Sequence, residues 1–291
     1  MSVPLILSGK EVSQSVYESL KDRIASLNSQ NIIPGLAAVL VGDDPASQVY
    51  VRSKTKIFNS LSLHTETFRL SSKISEGDLL ELIGRLNVDS SFHGILVQLP
   101  LPKHINSQLI LRSIRPAKDV DGFHPENVGL LSLGEPRYIP CTPKGIMRIL
   151  DYYDIDLKGK NVVVVGRSNI VGRPISILTS LKMNGANGTT TICHSGTPNI
   201  EYYTQSADII IVALGVPHFL TGSMIKEGAI VVDVGINRID ADTEKGYRLV
   251  GDAHWDEIIT KVSAATPVPG GVGPMTIAML VENTVEAAEN I

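Results

Sequence analysis

Val12, Val16, Leu20, Ile24 and Leu27 recur at helical spacing behind Ser8 and Glu11, a pair arranged as a capping box, and together they predict a helix. LAAVLVG at 36–42 is a short apolar run ending in glycine, the pattern of a buried strand. A helix is expected through 48–56. HTETFRL at 64–70 alternates like a strand, Ser75 opens another amphipathic helix, and GILVQ at 94–98 reads as a third buried strand. This part is a β/α repeat.

From Pro116 to Pro143 the periodicity is lost and proline and glycine accumulate, which predicts a connector. Thr142 and Pro143 then supply an N-cap and a first-turn proline for a helix with Ile146, Ile149, Leu150 and Tyr153 on its apolar stripe. Strand-like runs at 161–166, 189–193, 208–215 and 229–235 alternate with helical or loop segments, so a parallel sheet with right-handed crossovers is expected. A terminal helix is predicted from Met275 to Ala288. The fold class is α/β with two domains. Residues 1–140, joined by 270–291, form a β/α N-terminal domain on which the last helix packs back; residues 141–269 form a doubly wound, Rossmann-type domain.

The chain has 291 residues, 43% of them hydrophobic, enough for a sizeable core. Lys+Arg 26 against Asp+Glu 30 gives a net charge of -4 without a long block of one sign, so no nucleic-acid footprint is present. MSVPLILSGK is too short in its apolar run for a signal peptide and lacks a basic start. The run IIIVALGV falls far short of the roughly 20 residues of a membrane span. A soluble, cytoplasmic protein is expected, with no membrane partner. Cys141 and Cys193 share no C-x-x-C spacing, so neither a disulfide framework nor a metal is indicated.

VVVVGRSNIVGRP runs from a buried strand through Gly166 into a helix, the setting in which a helix N-terminus binds pyrophosphate. It departs from G-x-G-x-x-G, because Ser168 and Val171 stand at the second and third glycine positions, although Gly172 still permits close packing. By itself it fits either a dinucleotide turn or an ordinary strand-to-helix turn. The next strand ends in His194, Ser195, Gly196 and Thr197, with no carboxylate until Glu201. A carboxylate there would take a ribose 2′-hydroxyl and repel a 2′-phosphate. Its lack, with Arg167 as a compensating charge, favours NADP over NAD.

QVYVRSKTK places Tyr50 and Lys54 on one helical face. A Tyr-x-x-x-Lys pair also occurs in short-chain dehydrogenases, but there it follows the glycine turn on the same domain; here it precedes the turn by more than a hundred residues. As an isolated pair it also fits a solvated surface. Gln98 ends an apolar strand before Leu99, Pro100, Leu101 and Pro102. Asp119 and Asp121 share a loop, Asp119 reading as a turn former and Asp121 as the functional carboxylate. TPVPGGVGPMT reads as a segment that continues neither strand nor helix. His194 and Cys193 read as structural, and His124 and His218 show no evident partner.

The motifs YVRSKTK, GILVQLPLP, DVDGFHPENVGLL, IPCTPKGIMRIL, VVVVGRSNIVGRP, CHSGT, DVGIN and TPVPGGVGPMTIAML span nearly the whole chain. In that order they resemble the bifunctional methylenetetrahydrofolate dehydrogenase/methenyltetrahydrofolate cyclohydrolase family, the bacterial FolD type. The resemblance implies a folate site between the domains, with Lys54 catalytic, Tyr50 beside the pterin, Gln98 tuning Lys54 and Asp121 gripping the pterin nitrogens. Val97 and Leu99 would flank Gln98, and Pro269, Gly270 and Gly273 would shape the rim. It also implies NADP contacts from Gly166, Arg167, Ser168, Gly172, His194, Ser195, Ile236 and Thr276, tetrahydrofolate derivatives as partners, and a homodimer.

In that chemistry, hydride leaves a methylene bridge and water attacks the resulting methenyl cation. Lys54 would assist by moving protons, which needs a pKa below the usual value of about 10.4. A dehydrogenase without the hydrolase step, or a non-catalytic nucleotide-binding protein, are the competing readings. KMNGANGTTTICHS, GDAHWDEI and NSLSL depart from the family pattern without touching these residues.

Overall fold

The computed structural model describes residues 3–243 and 246–290. In chain order they form β1 (Leu5–Ile6), α1 (Gly9–Ser29), β2 (Gly35–Val41), α2 (Pro45–Ser60), β3 (His64–Leu70), α3 (Glu76–Val88), β4 (Gly94–Val97), α4 (Ser107–Ser113), α5 (Pro125–Leu133) and α6 (Cys141–Tyr152). There follow β5 (Asn161–Val165), α7 (Gly172–Ser180), β6 (Thr189–Cys193), α8 (Ile200–Thr204), β7 (Ile209–Val212), β8 (Ile230–Asp233), β9 (Asn237–Asp240), β10 (Tyr247–Val250), α9 (Trp255–Ile258), β11 (Ala264–Ala265) and α10 (Val272–Glu289). Two compact units result. One is Val16–Cys141 with the described part of Ile277–Ile291; the other comprises the described residues of Met1–Ser15 and Thr142–Thr276.

In the first unit β2 lies between β3 and β4, all parallel, with Leu36 opposite Gly94 and Thr65. Every residue of β2 is buried, whereas the outer strand β3 alternates. Val39, Ile95, Leu79, Ile83 and Ile110 pack as one core, and burying each such side chain is worth about 1.5–3 kcal/mol. Helix α2 starts where Asp44 accepts a bond from the Ser47 N–H at 2.7 Å and Pro45 takes the first turn. Its buried face reads Ser47, Val51, Lys54 and Phe58, a spacing that sets a lysine into an otherwise inward stripe.

The second unit holds a six-stranded parallel sheet in the order β1, β11, β8, β7, β5, β6. Val163, Val165, Ile210, Val212 and Val231 fill one face of its core. The carboxyl ends of β5, β6, β7 and β8 bring Gly166, His194, Ala213 and Val234 to one edge of the sheet, where such sheets hold ligands. β9 and β10 form a separate antiparallel hairpin.

Four expectations from the sequence are corrected. Residues 3–15 cluster with the doubly wound unit, because β1 extends its sheet beside β11; residues 270–276 cluster there too. The stretch read as a connector contains α5, whose N-terminus is capped by His124, its Nδ1 accepting from the Glu126 N–H at 3.1 Å. Helix α6 starts at Cys141, so Thr142 lies inside the first turn; its hydroxyl lies 2.9 Å from that of Thr276. Helix α10 starts at Val272, within the segment read as non-helical. Pro274 is tolerated because first-turn amides have no intrahelical partner.

Candidate active site

Lys54 is only 6% exposed. Its Nζ donates to Gln98 Oε1 at 3.1 Å and lies 5.9 Å from the centre of the Tyr50 ring. Gln98 sits just past the end of β4, and its Nε2 donates to the Leu99 carbonyl at 2.8 Å. That second bond turns the amide so that its oxygen faces the amine. Burial lowers the Lys54 pKa, while the charges of Asp121 and Cys141 oppose the shift. Asp121 moves the other way: burial raises its pKa, opposed by Lys54 and a hydrogen bond with Cys141. Burial also raises Tyr50, which keeps the phenol neutral. The first unit therefore brings Tyr50, Lys54, Gln98 and Asp121 together as a poorly solvated amine with an adjustable charge partner. Val97 is buried in β4, and Leu99 packs partly buried against the core.

Asp121 is presented by a turn that requires glycine at the next position: Gly122 has φ +73°, and a Cβ there would stand 2.9 Å from the Pro140 nitrogen. Asp119, read from the sequence as a turn former, also ties His124 and Asn127 together. Its buried Oδ2 accepts from the His124 N–H at 2.7 Å and from Asn127 Nδ2 at 2.8 Å, and burial pushes its pKa up to about 7.

A second cluster surrounds the glycine turn of the other unit. Gly166 has φ +127°, and a Cβ on it would stand 2.3 Å from the Ala213 carbonyl oxygen. Ser168 Oγ accepts from the Val171 and Gly172 N–H groups at 3.1 and 3.3 Å, closing the turn onto α7. Arg167 and Ser195 are exposed. His194 Nδ1 accepts from the Gly196 N–H at 3.0 Å, so the ring proton sits on Nε2, 3.5 Å from an Arg167 nitrogen. Arg167 and the His194 ring thus stand side by side at the turn, and no carboxylate lies in residues 194–200 that follow β6.

Two buried carboxylates that sequence reading passed over brace the nearby loops. Asp252 accepts from the N–H groups of Leu214, Gly215 and Val216 at 2.6, 2.9 and 2.9 Å, and from Asn237 Nδ2 at 2.8 Å. Asp233 accepts from Gly235, Asp252 and Ala253, and burial pushes its pKa up to about 6. The half-exposed Ile236 follows directly, and Gly273 packs against its side chain. Pro269 and Gly270 form a turn ahead of α10 in this unit.

Two family models match the chain: tetrahydrofolate dehydrogenase/cyclohydrolase, catalytic domain, over residues 7–121, and the NAD(P)-binding domain of the same family over 140–291. The chain belongs to the tetrahydrofolate dehydrogenase/cyclohydrolase family. Among relatives in that family, the bifunctional protein FolD of Chloroherpeton thalassium is 51% identical over 290 residues, covering 98% of this chain and 99% of its own. The bifunctional FolD methylenetetrahydrofolate dehydrogenase/cyclohydrolase structure from Campylobacter jejuni is 51% identical with a TM-score of 0.92, covering 98% of both chains. The Trypanosoma brucei family member, solved with NADP cofactor and inhibitor, is 35% identical with a TM-score of 0.94, covering 100% of this chain and 99% of its own.

The family's two domain models fall on the two clusters, Lys54 and Asp121 within the catalytic match and Gly166 within the NAD(P)-binding match. Cys141 and Asn283 beside the Asp121 turn were missed. Asn283 had a sequence signal, a polar residue on the inward face of an apolar helix.

Proposed function

We propose that this chain oxidises 5,10-methylenetetrahydrofolate with NADP and hydrolyses the methenyl product to 10-formyltetrahydrofolate. The observation that carries the reading is the 3.1 Å bond holding a buried lysine amine against a neutral amide, with Asp121 as the larger of the two charges that act on it. Family membership supplies the reaction class. When bound, NADP accepts the hydride.

The chain's own residues do the remainder. Asp121 offers two acceptor oxygens to the amidine-like edge of the pterin, a pairing strengthened when the pterin carries positive charge. Lys54, held partly neutral by burial, takes a proton from the attacking water and returns one to the nitrogen released as the bridge opens. A developing cation beside the amine favours its neutral form further. Gln98 fixes the amine without adding charge, and Tyr50 provides a flat neutral wall for the pterin. Val97 and Leu99 complete the folate contacts made by this unit. Gly166, Arg167, Ser168, Gly172, His194, Ser195, Ile236 and Thr276 would hold NADP, with Arg167 and His194 supplying the donors for its 2′-phosphate.

Among the described residues, no helix is long and apolar enough to cross a membrane. Cys141 and Cys193 are both buried, and the reading given to them is that of a cytoplasmic enzyme. A homodimer is supported by the outer position of β3, whose edge has no strand partner among the described residues and, with the flanking Phe68, offers a surface for a second copy.

The test supplies methylenetetrahydrofolate with NADP or NAD and follows reduced nicotinamide and the methenyl compound together. The reading expects nicotinamide reduction with little methenyl build-up; wild-type protein that accumulates the methenyl compound would be a dehydrogenase alone.

A further inference from the structure

Asn283 is fully buried on α10, within the unit that holds Lys54 and Asp121. Its Nδ2 donates to the Val120 carbonyl at 2.8 Å and to the Ile139 carbonyl at 3.0 Å, and lies 3.8 Å from Cys141 Sγ. Val120 immediately precedes Asp121, and Ile139 lies two residues before Cys141. The Cys141 thiol in turn donates toward the same Val120 carbonyl at 3.4 Å. The two segments also meet directly, because Gly122 lies too close to Pro140 for any Cβ. One amide nitrogen has two hydrogens, and here each joins a different segment.

We propose that Asn283 is a positioning residue for the folate chemistry, a bridge that sets Asp121 at its working distance from Lys54 by tying the Asp121 turn to the segment carrying Cys141. This rests on the role given above to Asp121. No apolar residue can replace the bridge, since the Ile139 carbonyl would lose this donor and the Val120 carbonyl would be left with the Cys141 thiol. Aspartate would set carboxylate oxygens against the same two carbonyl oxygens. Serine retains one donor on a shorter stem and can satisfy one segment at a time.

The test compares Asn283→Ala, Asn283→Ser and Asp121→Asn for methenyltetrahydrofolate hydrolysis across pH, with NADP affinity and Tm measured in parallel. Asn283→Ala is expected to lower hydrolysis at least tenfold, by misplacing Asp121, and to move the acidic limb of the pH profile, the one set by Lys54, toward lower pH. With Asp121 displaced, the charge that holds Lys54 protonated is weakened. Asn283→Ser should lie between wild type and alanine, and NADP affinity should stay within twofold. If Asn283→Ala does not fold, the displaced pH profile of Asn283→Ser decides. A variant with lowered Tm but an unmoved pH profile, beside an impaired Asp121→Asn, overturns the proposal. An unimpaired Asp121→Asn instead overturns the assigned role of Asp121.

Discussion

Lys54 and Gln98 stand 44 residues apart in the chain and meet across 3.1 Å. The amine comes from the inward stripe of α2 and the amide from the end of β4, so both are fixed by packed elements. Beside the lysine charge stand a neutral oxygen, the Cys141 thiol and a burial-shifted carboxyl, and that combination favours a proton carrier over an ion pair.

Lys54→Met should remove hydrolysis by about 10²–10⁴-fold, the usual contribution of a positioned acid or base. NADP affinity should remain unchanged, since the glycine turn belongs to another unit. Stopped-flow decay of methenyltetrahydrofolate and fluorescence titration of NADP check the two halves. Unaltered decay would remove Lys54 from the mechanism.

Gln98→Glu places a carboxylate where the neutral amide now accepts from the amine. An opposite charge at that distance favours the protonated amine. The pH profile of hydrolysis should therefore move to higher pH, with activity at neutral pH reduced at least tenfold. A profile identical to wild type would show that Gln98 does not tune Lys54.

How far the chain could be read in advance follows from what each residue answers to. Strands β2, β4, β5 and β7 were legible because their short apolar runs answer to local burial. The start of α10 was not, since glycine and proline in its first turn mimic a loop until the packing of Gly271 and Met275 is seen. Lys54 was visible as a lysine at helical spacing from Tyr50. Its burial depends on Val51 and Phe58 facing a core built by residues far along the chain. Asn283, Asp233 and Asp252 act on backbone atoms, which sequence patterns do not reveal.

Arg167→Ala should raise KM for NADP about 10–100-fold and leave KM for NAD within threefold, the loss expected for one charge-assisted contact to phosphate. Initial rates with each cofactor at saturating folate give the comparison. Equal losses for both cofactors would place Arg167 away from the 2′-phosphate.

Asp119 carries a pKa pushed up to about 7, from an ordinary value near 3.8, mainly by burial. A carboxyl with a raised native pKa binds more protons in the folded state, so its contribution to stability is fully present below pH 4 and is lost as pH rises through about 7. Asp233, at about 6, acts in the same sense. Asp119→Asn removes this titration. The difference in Tm between wild type and the variant should shift against wild type from pH 5 to pH 8. A constant difference over that range would show that Asp119 does not titrate there.

The central claim is that burial holds the Lys54 amine below the ordinary lysine range. It is tested most directly by NMR titration of the side-chain Cε carbon in protein with labelled lysine, the signal assigned by its loss in Lys54→Met. A titration midpoint below about 10.4 is predicted, falling further when a cationic methenyl analogue is bound. A midpoint at or above the ordinary value, unmoved by the analogue, would contradict the account.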